Sequence, residues 1–202
     1  MASHRHNEVQ ATAPASSTAE DALLDAARES IVDVGWRRST LTDVARRAGV
    51  SRMTIYRRWP DMQTLLADLM TREFSGFAGT LERPVGTPAR AGIAAAVAAT
   101  ASGLRDNELF AQIVRLDPEL LLPYLLQRRG RTQDALLTVL SAAIEDGQSD
   151  GSVRQGPSVL LARSVLLTAY GFALSAPTMV DGLSAELVDG QLGELVDRYL
   201  AP

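Results

Sequence analysis

Thr40 to Pro60 reads TLTDVARRAGVSRMTIYRRWP, and its punctuation leaves little freedom in how it folds. Thr40, with Asp43 three residues on, matches a capping box, in which side-chain oxygens take up the free N–H groups at a helix start. Gly49 supplies the left-handed residue that a sharp stop requires. Ser51 then caps a second helix, with Val50 before the cap and Ile55 at the fourth helical position spaced to clasp across it. Pro60 biases Trp59 away from helical conformation and closes that helix after about two turns. Two short helices joined by a glycine-containing turn form a helix-turn-helix.

Projected at about 100° per residue, the second helix has two unlike sides. Ile55 and Trp59 share one, with Val50 behind them. Met53, Tyr56 and Arg57 share the other, with Thr54 and Arg58 on one flank and Arg52 near the other. An arginine run is ordinarily a solvated face, but here it lies opposite an apolar anchor on a helix built to be presented. Residues 37–58 carry seven arginines, Arg37, Arg38, Arg46, Arg47, Arg52, Arg57 and Arg58, against the single acid Asp43. The whole chain has net charge −4, so a small basic patch sits on an acidic body. That distribution points to double-stranded DNA as the partner. Ser51 and the N–H groups of its helix start suit a phosphate, as does Thr40. Tyr56 offers a hydroxyl on a rigid stem, and Arg57 and Arg58 supply charge with forked donors. Arg52 is placed for a bidentate pair on guanine, Met53 and Thr54 for a thymine methyl, and Thr42 for a contact from the first helix.

The rest of the chain reads as helix. Helices are expected at 19–34, 88–104, 107–116, 118–129, 131–147, 157–175 and 184–200, with one from Asp61 toward Phe77, and no run alternates as a strand would. Glu82 to Pro88 reads as a break and Asp146 to Pro157 as a loop. The fold class is therefore all-α, within a chain of 202 residues. Cysteine is absent and the only histidines are His4 and His6. No thiolate or histidine metal site, disulfide or histidine base is available inside the fold. No catalytic constellation is visible, so no catalytic residue, metal or cofactor is assigned and the chain is not expected to be an enzyme. Residues 1–17 read as a disordered tail and not as a signal peptide. VLLARSVLLTAYGFAL contains Arg163 and reads as too short to span a membrane; a cytoplasmic protein is expected.

Gly35 to Leu66 resembles the N-terminal domain of the TetR family of transcriptional regulators. The resemblance rests on Gly35-Trp36, Thr40, VARRAGVS, TIYRRW, and the Asp61 and Leu65-Leu66 that open the next helix. It implies a homodimeric regulator, usually a repressor, with three DNA-binding helices and a C-terminal helical ligand-binding and dimerisation domain. The family's DNA-contacting positions fall on Thr40, Thr42, Ser51, Arg52, Met53, Thr54, Tyr56, Arg57 and Arg58. Two positions depart from the pattern. Trp59 stands where Phe is usual, and Met62 stands where a phosphate-contacting Lys is common.

The resulting expectation is a DNA-binding unit at 18–62 and an effector-binding and dimerisation unit at 63–202. The helix at 157–175 is apolar nearly all round and must be buried on several sides. With the last helix it is expected to form a dimer interface through Leu160, Leu167, Leu192, Leu195, Val196 and Tyr199. Two recognition helices related by a twofold axis would meet a palindromic operator. Phe77, Phe110, Val114, Leu121, Tyr124, Leu125, Leu137 and Tyr170 are expected to line a pocket for a small hydrophobic or aromatic effector, with Arg115 and Asp117 either supplying polar contacts or solvating a helix end. A helical enzyme or carrier would instead need a catalytic constellation. A regulator without an effector would have a solid body.

Overall fold

A computed structural model describes residues 15–78 and 87–202. Among them the chain is helical, with no strand. In order it runs α1 (Ala15–Val34), a 3₁₀ turn (Trp36–Arg38), α2 (Leu41–Arg47), α3 (Arg52–Arg58), α4 (Met62–Ala78), α5 (Ala89–Asp106), α6 (Glu108–Leu116), a 3₁₀ turn (Pro118–Leu120), α7 (Leu122–Leu126), α8 (Arg131–Ser149), α9 (Ser158–Ser175), a 3₁₀ turn (Ala176–Thr178) and α10 (Ala185–Leu200).

Three expectations about the elements change. The helix starting at 19 begins at Ala15, so residues 15–17 of the expected tail are its first turn. The single helix at 118–129 is broken into a 3₁₀ turn and the five residues of α7. Pro123 has no N–H to donate, and its ring opposes the carbonyl four residues back. The apolar segment at α9 runs on into its 3₁₀ turn, giving 21 residues, Ser158–Thr178, at mean hydropathy 1.6. That is long and apolar enough to cross a membrane by length and composition alone, contrary to the expectation that it is too short.

Two apolar cores hold the helices together. In the first, Leu23, Leu24, Ala27 and Ile31 of α1 meet Leu41, Val44 and Ala45 of α2, Ile55, Trp59, and Leu65 and Leu69 of α4. Leu109 and Ile113 of α6 complete it. The second joins Ile93, Ala94, Ala101 and Leu104 of α5, Ile144 of α8, Leu161, Ala162 and Val165 of α9, and Leu192, Val196 and Leu200 of α10. α4 serves both: Leu65 and Leu69 sit in the first, and Phe74 packs on the second.

The apolar stripe of α10 therefore has two sides. Leu192 and Val196, expected at a dimer interface, are buried in their own subunit. They turn inward because α10 lies on the small-residue face of α5, where Gly193 comes close enough that a Cβ there would stand 3.7 Å from Ala98 Cβ. Leu160, Leu167, Leu195 and Tyr199 stay exposed, Leu167 by 70%.

Gly147 of α8 marks the tightest approach. A Cβ there would collide with the side chain of Val153 and stand 3.2 Å from Ala89 Cβ. Gly147→Ala is expected to destabilise the fold by about 1–3 kcal/mol through overpacking, despite alanine's better helix propensity. Urea unfolding monitored by circular dichroism checks this.

Candidate nucleic-acid interface and effector cavity

The turn between α2 and α3 forms as its residues dictate. Thr40 Oγ1 accepts the Asp43 N–H at 3.1 Å, and Gly49 holds φ of 68°. The return half of a capping box is replaced. The Asp43 carboxylate instead accepts the Thr40 hydroxyl at 2.6 Å and Arg46 at 2.6 Å. The Thr40 hydroxyl, then Arg46, hold that carboxyl below its ordinary range. Ser51 Oγ accepts the Thr54 N–H at 3.2 Å, and the two hydroxyls lie 2.9 Å apart.

Ile55 and Trp59 are fully buried beneath α3. Burial of each contributes about 1.5–3 kcal/mol to holding a helix too short to persist alone. On the far side Arg52, Tyr56, Arg57 and Met53 are exposed, Met53 by 76%. Ser51 and Thr40 are exposed, while Thr54 and Thr42 are half-buried.

Arg58 is the exception. Its Nη2 pairs with Glu20 Oε1 of α1 at 2.7 Å, and its guanidinium lies 5.5 Å from the centre of the Trp59 ring. Hydrogen bonding to Glu20 raises its pKa further. Its place on the flank of α3 brings it to α1, and it braces the helix instead of lying free. Three other arginines of the patch are likewise engaged. Arg37 pairs with Asp117 and Glu119, Arg46 with Asp43, and Arg47 with Asp33 and Glu29. Arg38, Arg52 and Arg57 have no salt bridge among the described residues.

Polar ties run from this unit into the helices behind it. Trp59 Nε1 donates to Asp68 Oδ2 of α4 at 2.7 Å, and Asp68 Oδ1 accepts from Arg131 at the start of α8. Burial alone would raise the Asp68 carboxyl. The Trp59 and Arg131 donors and the nearby guanidinium charges outweigh it and hold the group below its ordinary value of 3.8. Asp117 is buried and accepts the Trp36 N–H at 2.9 Å. It braces the turn that leads into the helix-turn-helix and is not among the residues lining the cavity. Arg115 bonds Gln112, one turn back on its own helix. Met62 opens α4 half-buried against the first core. Asp68 and Arg131 were missed by sequence reasoning; the one available signal was a tryptophan, with its N–H, where phenylalanine is usual.

A cavity of about 450 Å³ lies between α5, α8 and α9. Of the expected lining residues whose side chains are described, only Tyr170 borders it. Phe110 is packed in the second core, Leu137 lies partly buried against that core, and Leu121 bridges the two cores. Val114, Tyr124 and Leu125 are exposed. The side chain of Phe77 lies outside the described residues. Large side chains fill the space between helices, and the cavity is left where Gly92, Ala96, Ala143, Ala169 and Ala173 are too small to fill it. On α5 the lining runs from Ala89 to Leu104, about 22 Å along the helix. Thr100, Asp146 and Tyr170 are its only polar side chains among the described residues. The buried Tyr170 hydroxyl has no well-formed hydrogen bond among the described residues, and burial raises its pKa against a smaller opposing effect of Gln133. The neighbouring Gln133 amide is committed to Gly130 N at 2.7 Å and the Tyr124 carbonyl at 3.0 Å.

A basic and hydroxylated helix over an apolar floor, carried by a helical body with a cavity, defines a helix-turn-helix regulator. The family model for bacterial regulatory proteins of the tetR family matches residues 23–69. An HTH-type transcriptional regulator of Mycobacterium tuberculosis is 36% identical over 88% of this chain and 92% of its own. The chain belongs to the TetR family of bacterial transcriptional regulators, whose members bind DNA and small-molecule effectors and commonly form dimers. The fatty acid metabolism regulator protein of Bacillus subtilis is 25% identical over 71% of this chain and 75% of its own. Among solved structures, FadR from Bacillus subtilis in complex with stearoyl-CoA shares the fold, with a TM-score of 0.66 and 19% identity over 89% of this chain and 98% of that one. A protein from Rhodococcus sp. RHA1 does so with a TM-score of 0.68 and 24% identity over 97% and 100%.

Because the Asp68 pKa is depressed, its ionised form contributes stability that is fully present above pH 3.8 and is lost as pH falls through its folded value. Asp68→Asn is expected to be less stable than the wild type at neutral pH, with the difference shrinking below pH 3.8. Urea titrations from pH 7 down to about pH 3 read the convergence.

Proposed function

We propose that this protein is a cytoplasmic homodimeric repressor that leaves a palindromic operator when an effector with a long apolar chain enters the α5–α8–α9 cavity. The observation that carries the DNA reading is the exposed row Arg52, Met53, Tyr56 and Arg57 on a helix whose opposite side is buried. Thr40, Thr42, Ser51 and Thr54 flank that row, and Arg58 acts from behind it. Residues 18–62 are the DNA-binding unit and 63–202 the effector and dimer unit. The exposed apolar side chains of α9 and α10, Leu160, Leu167, Leu195 and Tyr199, are where the second copy packs. Exposed Arg163 on the same helix argues against lipid there.

The effector class follows from the cavity walls. Among the described residues they hold no cation, so a carboxylate or phosphate buried against them would go unpaired. A hydrocarbon chain suits the length and the apolar lining, with its polar head left at the mouth. The Bacillus subtilis relatives, one named for fatty acid metabolism and one solved with stearoyl-CoA, support an acyl chain. The cavity also speaks against a regulator with a solid body. Occupancy favours a conformer in which α4 has moved and the two recognition helices no longer match the operator.

Titrating stearoyl-CoA into the protein–DNA complex tests the effector reading; release at concentrations that leave unrelated repressors bound is expected. DNA affinity unchanged by saturated acyl-CoAs of every chain length would reject it. Arg57→Ala is expected to weaken binding to all sequences and to reduce the slope of log K against log salt by about one. An unchanged slope would remove Arg57 from the phosphate contacts.

A further inference from the structure

We propose that Asp68 is a positioning residue for α3, tying the indole N–H of Trp59 to the guanidinium of Arg131 so that the first turn of α8 sets where the DNA-facing helix stands. The inference rests on the reading of α3 as that helix, and it adds the route by which the cavity reaches it.

Trp59 is the residue that ends α3, and its backbone N–H still bonds Ile55 O at 2.9 Å. Its side chain therefore moves with the helix. The ring is the apolar anchor, a task phenylalanine performs equally well. The indole N–H is what phenylalanine lacks, and here it is used, at 2.7 Å to Asp68. Asp68 spends one oxygen on that bond and the other on Arg131. Arg131 is the first residue of α8, whose later turns, from Leu136 to Asp146, wall the cavity. Two polar contacts thus connect the end of α3 to a cavity wall.

The surroundings support the assignment. Thr71, one turn beyond Asp68 on α4, faces Thr132, with the hydroxyl oxygens 3.3 Å apart, so α4 and α8 meet along a polar seam. Gln133 and Gly130, which flank Arg131, form the cap beside the buried Tyr170 hydroxyl. A ligand reaching Tyr170 presses on the turn that carries Arg131. The charged groups around Asp68 are Arg131 from α8, Arg58 from α3, Glu20 and Asp21 from α1, and Arg72 from its own helix. Of these, Arg58 is held by Glu20, and Arg72 by Asp25 and Glu73. Arg131 is therefore the cation that answers Asp68 directly.

The chemistry explains why a polar tie adds something to an apolar floor. Ile55 and Trp59 would remain buried if α3 slid slightly, because hydrophobic contact has no direction. A hydrogen bond has one register and weakens steeply when misaligned. Removing Arg131 from Asp68 frees the carboxylate rotamer and with it the partner of the indole.

The test is a double-mutant cycle in the full-length chain, using a duplex enriched by the wild-type protein from a random library. Trp59→Phe and Arg131→Gln are each expected to weaken DNA binding by roughly tenfold. The double variant is expected to be no weaker than either single one, because both break one path. Arg131→Lys, which keeps a cationic donor, is expected to recover most of the affinity. Asp68→Asn replaces Trp59→Phe in the cycle if that variant melts early. Losses that multiply, or variants that lower the melting temperature while leaving affinity unchanged, would overturn the proposal. Failure of the underlying DNA reading has a different signature, an Arg57→Ala variant that binds as the wild type does.

Discussion

The outward face of α3 depends on the burial of two side chains, Ile55 and Trp59. α3 is seven residues long, and a helix of that length does not persist in water without tertiary support. The core formed by α1, α2 and α4 supplies that support from one side only. The opposite side is thereby turned outward, and Arg52, Met53, Tyr56 and Arg57 become a surface. The glycine turn and the two hydroxyl caps set the angle; the apolar floor sets which way the helix faces.

The same economy governs the charges. Four of the seven arginines in the basic patch are spent on internal ion pairs: Arg47 and Arg58 tie α2 and α3 to α1, Arg37 ties its 3₁₀ turn to Asp117, and Arg46 pairs within α2. Such exposed pairs contribute little stability individually, but each fixes where a guanidinium points. Arg38, Arg52 and Arg57 are left without a salt bridge among the described residues, so on the proposed reading the salt dependence of binding is smaller than the raw count of arginines implies. The helix-turn-helix is also tied to the helices behind it. Leu109 and Ile113 of α6 belong to its core, the buried Asp117 carboxylate holds the Trp36 N–H, and Gln112 donates to the Val32 carbonyl at 3.0 Å. Motion of α4, α6 or α8 therefore reaches the helix-turn-helix through contacts with defined geometry.

Local order was legible in the residues and long-range pairing was not. Thr40, Gly49, Ser51 and Trp59-Pro60 act within a few positions of themselves, so their caps and stops follow from spacing. The opposition of Ile55 and Trp59 to Met53, Tyr56 and Arg57 follows from the helical period. Arg58 could not be placed that way, because its partner Glu20 is 38 residues distant. The cavity was misjudged for a physical reason: aromatic and branched residues suggest a ligand site, but Phe110 and Leu137 occupy volume and pack. Alanines and glycines, which look like helix filler, leave the space. The stripe on α10 concealed two faces, and only the packing on α5 separates Leu192 and Val196 from Leu195 and Tyr199. The tie through Asp68 was hidden in the exchange of one aromatic residue for another.

The proposal that two copies of this chain read DNA through α3 is decided by selecting bound duplexes from a random library with the wild-type protein at physiological salt. Enrichment of an inverted repeat is expected, with half-site centres about 34 Å apart, one turn of the double helix, and with Arg57→Ala weakening all recovered sites alike. Recovery of unrelated sequences with no shared repeat, or of a single half-site bound by a monomer, would contradict it.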